Sequence, residues 1–222
     1  MPYARCGFEV DMDLTKQKNY QQSFDLACAS IKGLNLEERA RNAGADYRKG
    51  NGEEVVVDFF SEPYHVHFPQ VEFYSPSKKA VSLVTRVLLL HYFIRADGTP
   101  FSKKWVGYKD ISGGLLYAGV FARRVTEPLQ KRFGGSAKLF QGIGLSLGGD
   151  PAGVGDASFV LQVLPFVRLQ YVLWEGDDEF PPSFQVLFDA SVDHYLSLED
   201  IVVLGQMSTG RLINRSTRVG KQ

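Results

Sequence analysis

The chain has 222 residues, with 44% hydrophobic and 23% charged side chains and a formal net charge of zero. That is enough apolar material for a sizeable core and too much for a disordered chain. The missing basic excess argues against a nucleic-acid binder, whose affinity comes largely from neutralising phosphates.

In chain order, Leu14 to Lys32 reads as a first helix, because Phe24, Cys28 and Ile31 recur at three- and four-residue spacing before Gly33. Asn35 is placed to cap a short second helix, with Glu37 and Glu38 in its first turn and Gly44 as its stop. Asn51-Gly52 is a turn signal ahead of a strand over Glu53 to Phe60. Tyr64 to Phe68 alternates like a second strand, and Pro63 and Pro69 around it suggest a sheet edge. Ser77 to Arg95 is the strongest helix, with Val81, Val84, Leu88 and His91 on one face and Asp97-Gly98 as the following turn.

Trp105 to Ile111 reads as a short extended segment. Leu115 to Phe133 reads as a helix with a kink or break at Pro128. A further helix is expected over Ser136 to Ile143, then a Gly/Asp/Pro loop from Gly148 to Gly155. Phe159 to Leu164, Phe166 to Trp174 and Phe184 to Phe188 read as strands. Leu198-Glu199-Asp200 opens a final helix expected to end near Ile213, leaving 214–222 as a flexible basic tail with Arg215, Arg218 and Lys221. Without regular βαβ alternation, the expectation is an α+β single domain, 1–222, with a mostly antiparallel or mixed sheet and several packed helices.

No apolar run follows the N-terminal Met1-Pro2-Tyr3, so no signal peptide is expected, and the apolar stretch Val81 to Ile94 is too short and too polar to span a bilayer. The two cysteines, Cys6 and Cys28, make no disulfide framework. The expectation is a cytoplasmic chain with neither a nucleic-acid nor a membrane partner.

The densest feature is Trp174-Glu175-Gly176-Asp177-Asp178-Glu179-Phe180-Pro181-Pro182, with four carboxylates in five residues. Like charges this close must be solvated, paired with Lys or Arg, or bound to a cation. Asp177, Asp178 and Glu179 are therefore candidate metal ligands, since calcium and magnesium take carboxylate oxygens, although the spacing is not that of an EF-hand. His65 and His67 alternate on a strand and share a face, as a metal pair or a half-exposed strand would. His91 sits on the apolar helix beside Tyr92, and His194 on a turn between Asp193 and Tyr195. Gly144-Leu145-Ser146-Leu147-Gly148 matches the nucleophile-elbow pattern, but its flanks lack the strand and helix an elbow needs. Asp189 and Glu199-Asp200 read as turn and helix-capping residues.

Leu89-Leu90-His91-Tyr92, Trp105-Val106-Gly107-Tyr108, Gly113-Gly114, Phe133-Gly134-Gly135 and Leu164-Pro165 occur in that order. The acidic segment, Leu187-Phe188-Asp189, Tyr195-Leu196 and Glu199-Asp200 complete the set. Over about residues 20–213 the chain resembles the domain of unknown function family numbered 3786, and Trp174 to Pro181 is the most specific part of the resemblance. The resemblance implies an origin in anaerobic bacteria or archaea and no established activity. Some such relatives carry an added iron–sulfur segment, which needs about four thiolates. Two cysteines do not supply them.

Three readings of function follow. The first is an accessory protein that binds a small molecule or cofactor at Trp174, Asp177, Glu179 and His91, the acidic loop and the His91 helix sharing one cleft. The second is a metal-dependent hydrolase that uses the acidic loop 175–179, with His91 or His194 as base. The third is a protein–protein interaction module that presents the Trp174–Pro182 loop.

Overall fold

The computed structural model describes residues 14–77 and 79–219. Cys6, Lys221 and the last three residues of the expected tail lie outside them. Two helices come first, α1 (Leu14–Ile31) and α2 (Leu36–Asn42). Asn35 caps α2 as its type predicts, its Oδ1 accepting from Glu38 N at 3.1 Å. An antiparallel meander follows, with β1 (Asp46–Lys49), β2 (Glu53–Phe59), β3 (Glu62–Phe68) and β4 (Glu72–Tyr74) hydrogen-bonded in chain order. Strand β3 is therefore internal, which corrects the edge expected from its prolines. Only His65 to His67 pair with β4, so Pro63 and Pro69 fall outside the stretch that needs donors on that side.

Helix α3 spans Leu83–Arg95. It begins later than the expected Ser77, because the Ser82 hydroxyl accepts from Thr85 N and sets the start there. After β5 (Trp105–Gly107) come short 3-10 turns over Tyr108–Asp110 and Gly114–Tyr117. A helix then runs without a break through α4 (Ala118–Phe121), a π-helical turn over Ala122–Thr126 and α5 (Glu127–Phe133). The sequence leads one to expect a kink or break near Pro128, and no break occurs. Instead Glu127 N bonds to Ala122 O, five residues back, and this widened turn lets the chain pass a residue that lacks a donor and crowds the preceding turn.

Helix α6 (Ala137–Ser146) lies on the second sheet, where Gly144 allows the close approach: a Cβ there would fall 2.3 Å from the Phe159 ring. This sheet is wholly antiparallel in the order β5-β9-β8-β7-β6, with β6 (Asp150–Pro151), β7 (Ala157–Leu164), β8 (Val167–Trp174) and β9 (Ser183–Asp189). The last helix, α7, runs Leu198–Val219, so the expected tail is helical through 219. Tertiary contacts override its weak glycine positions: Ser216 is buried, and Arg215 Nε donates to Ser146 Oγ at 3.1 Å.

One hydrophobic core joins both sheets. The sheets meet where Phe60 N donates to Val163 O at 2.9 Å. An aromatic run crosses the second sheet: Phe140 lies 5.2 Å from Phe133, 4.9 Å from Phe159 and 5.0 Å from Phe184, in tilted and edge-on pairs. The Tyr171 hydroxyl joins this core to α7, donating to Ser208 Oγ at 2.6 Å. The fold is α+β, with mostly antiparallel pairing as expected. Among the described residues, no helix is long and apolar enough to cross a membrane.

Candidate functional site

Helix α7 starts with Ser197-Leu198-Glu199-Asp200. The Ser197 hydroxyl accepts from Asp200 N at 3.2 Å, and Asp200 Oδ2 accepts from Ser197 N at 3.2 Å and from its hydroxyl at 2.6 Å. This is a reciprocal capping box. It occupies one carboxylate oxygen and leaves Oδ1 for His91 of α3, whose Nδ1 lies 2.8 Å away. The Asp200 side chain is 8% exposed and His91 32% exposed. The hydrogen bond to Asp200 outweighs burial and raises the His91 pKa above its ordinary value.

With Nδ1 committed to the carboxylate, Nε2 has no hydrogen-bond partner among the described residues. The ring borders a cavity of about 40 Å³ between α1, α3 and the start of α7. Its polar lining is Tyr20 and Ser23 from α1, His91 from α3, and Ser197, Glu199 and Asp200 at the start of α7. Val84, Leu88 and Val203 supply apolar wall. Such a space holds about two or three waters or a polar group of a few heavy atoms. Burial and the neighbouring Glu199 carboxylate raise the Tyr20 pKa, and its hydroxyl adds a donor to the lining.

The acidic segment lies elsewhere. Residues 175–182 form the tip of the β8–β9 hairpin, closed by the Trp174–Ser183 pair, and Trp174 is half-buried. Glu175 caps α6 by accepting from Ala137 N at 2.6 Å. Asp177 Oδ1 accepts from Glu179 N at 2.9 Å and Phe180 N at 2.8 Å, and these backbone donors lower its pKa. Asp178 and Glu179 are exposed, and neither has a cationic partner among the described residues. Backbone N–H groups thus hold Glu175 and Asp177, while the Asp178 and Glu179 side chains face outward.

Of the four expected ligand residues, His91 alone borders the cavity; Trp174, Asp177 and Glu179 do not line it. Nor do Asp177, Asp178 and Glu179 converge: among the described residues no group of three or more His, Cys, Asp or Glu side chains is placed to hold a metal ion.

The remaining motifs resolve into structural roles. His65 and His67 meet on the outer sheet face around Glu54, their ring nitrogens 2.6 and 3.3 Å from Oε1. His194 pairs with Asp97 at 2.7 Å, and Asp97 in turn is held at a pKa of about 2 by His194 and Thr99. Burial alone would raise Asp189, but donors from Ser191 and Ser102 hold it low. Ser146 ends α6, with its hydroxyl donating to Ile143 O at 2.9 Å, so the elbow pattern is helix rather than elbow. Cys28 is half-buried against the core, and its thiol pKa is raised by burial.

Reading the sequence alone left Tyr20, Ser23 and Ser197 out of the site and gave Asp200 a capping role only. The S-x-x-D pattern ahead of an apolar run is a visible capping signal. A histidine on an apolar helix face asks for a buried partner, but nothing local shows that the two, 109 residues apart, are one feature.

No curated protein and no solved structure matches the chain. The model of the family described as Domain of unknown function (DUF3786) matches residues 35–211, from the cap of α2 to within α7, and so takes in both His91 and Asp200. The matched stretch is most of the chain, and the protein belongs to the DUF3786 family.

Proposed function

We propose that this protein is a cytoplasmic accessory protein that binds a small polar molecule, or the polar end of a cofactor, at His91. One observation carries the reading. An imidazole oriented through Nδ1 by a buried carboxylate, its Nε2 unpartnered among the described residues, belongs to the wall of a cavity lined by further donors and acceptors. The pairing fixes the ring, so a ligand meets a pre-set donor or acceptor and little rotamer freedom is lost on binding.

Ser23 shares the cavity but forms no hydrogen bond with His91 among the described residues. A hydroxyl nucleophile is activated by a hydrogen bond to its base, and without such a pair among the described residues the arrangement favours binding over covalent catalysis. The metal-dependent hydrolase has no comparable support, since Glu175 and Asp177 serve helix and turn caps and, among the described residues, no three His, Cys, Asp or Glu side chains are placed to hold a metal ion.

His91→Asn tests the proposal, because the amide can keep the bond to Asp200 while removing Nε2. Melting is followed with and without the small-molecule fraction of a cell extract. The wild type gains stability as ligand binds the folded state. His91→Asn gains none. An equal gain in both proteins sinks the assignment.

A further inference from the structure

Two exposed features have no role in the His91 site, and their chemistry is complementary. The first is the 3-10 turn Gly114–Tyr117, where Leu115, Leu116 and Tyr117 are 73%, 86% and 54% exposed. Three consecutive large apolar residues in water are unusual for a monomer surface. Three basic residues lie close to them along the chain. Lys109 packs under the turn, its Cα 3.6 Å from where a Gly114 Cβ would stand, and Arg123 and Arg124 follow on the next helical turns. All three are exposed, and none forms an ion pair among the described residues. The nearby Asp110 carboxylate is turned back onto Gly107 N at 3.2 Å. Between Leu116 and Arg123 stands Gly119, with open space where a side chain would be.

The second feature is the hairpin tip. Phe180 is 68% exposed at its end, beside the unpaired Asp178 and Glu179. Hydrogen bonds close the turn: Asp177 N donates to Phe180 O at 2.9 Å, and Asp177 Oδ1 accepts from Glu179 N and Phe180 N. Gly176 is required there, since a Cβ would fall 2.6 Å from Phe180 O. A large ring held out on a preorganised turn loses little entropy when it docks.

The two features sit at opposite ends of one helical segment. The tip is tied to α5, where Gln130 Nε2 donates to Pro182 O at 2.6 Å, and the apolar turn leads into α4. The intervening helix, Ala118 to Phe133, is about 24 Å long at the usual rise per residue. The tip therefore cannot fold back onto the turn of its own chain.

We propose that the protein associates head to tail with a second copy of itself, Phe180 of one copy seating on Leu115, Leu116 and Tyr117 of the next. Asp178 and Glu179 then face Lys109, Arg123 and Arg124. Such a contact is heterologous and leaves a free tip and a free turn at the two ends of the dimer, so it propagates. It is small, which places it among weak, concentration-dependent interfaces.

Sedimentation over about 5 to 500 µM, a range suited to a weak interface, reads this directly. The expected result is a weight-average mass that climbs past twice the monomer and falls back as salt is added. Phe180→Ser and Leu116→Asp, both at exposed positions, each remain monomeric over the same range. Mixed, they form a dimer and nothing larger, because one supplies the intact turn and the other the intact tip. A monomeric wild type overturns the proposal. So does an associating wild type in which only Leu116→Asp has an effect, since that marks a turn-to-turn dimer or a foreign partner's site. A mixture that stays monomeric, or grows beyond the dimer, does the same.

Discussion

The protein contains two histidine–aspartate pairs of nearly the same length, 2.8 Å for His91–Asp200 and 2.7 Å for His194–Asp97. Their surroundings differ. Asp200 is 8% exposed and its other oxygen closes the cap of a 22-residue helix, whereas His194 and Asp97 are 45% and 47% exposed at a loop. Both imidazoles have raised pKa values for the same reason, the hydrogen bond to the carboxylate. Distance and titration therefore do not tell a candidate site from a surface contact. What separates them is the cavity beside His91 and the fact that removing Asp200 would strand buried groups, whereas water can replace Asp97.

That contrast can be broken by substitution. Asp200→Ala removes the helix cap and the partner of His91 together, and is expected to cost about 2–4 kcal/mol in urea unfolding. A loss under about 1 kcal/mol, the range of an exposed pair, would erase the distinction. His91→Leu leaves Asp200 Oδ1 without its partner in a buried setting and should cost about 1–3 kcal/mol by the same measurement. Asp97→Ala should cost at most about 1 kcal/mol, because exposed pairs are worth little. Smallest of all, the double substitution Asp178→Asn, Glu179→Gln should change stability by less than about 0.5 kcal/mol, since neither side chain touches a partner.

The pH dependence sharpens the same comparison. A histidine raised in the folded state stabilises fully below its unfolded pKa of about 6.5, and that stabilisation is lost as pH rises through the folded value. The advantage of wild type over His91→Leu should therefore shrink from pH 6 toward alkaline pH. Asp97 has the opposite sign. Its pKa is lowered to about 2, so its contribution is present above the ordinary carboxylate range and lost as pH falls toward 2. In NMR titrations, added salt should move His194 back toward its ordinary value and leave His91 nearly unmoved, because ions screen exposed pairs far more than half-buried ones.

Much of the fold was legible because its signals are local. Asn35 announced the cap of α2, the spacing of Phe24, Cys28 and Ile31 the buried face of α1, and the apolar runs of β7, β8 and β9 the second sheet. The errors came where tertiary context decides. The prolines around β3 suggested an edge until β4, three residues long, was seen to pair between them. Helix α7 outlasted its expected end because Ser146, far away in sequence, accepts from Arg215.

The site followed the same rule. The acidic segment stands out because its charges are adjacent in sequence, yet Asp177 is spent on its own turn, Glu175 caps α6, and Asp178 and Glu179 face outward. His91 was visible, but its partner and its cavity were not. They depend on α1, α3 and α7 converging, which is long-range packing that no window of sequence contains.

The most direct test of the central claim is native mass spectrometry of three proteins purified side by side without oxygen: wild type, His91→Asn, and Asp178→Asn with Glu179→Gln. The account predicts a bound non-protein mass on the wild type and on the loop variant, and none on His91→Asn. The same mass on all three, a mass lost from the loop variant alone, or no mass on any of them would contradict it.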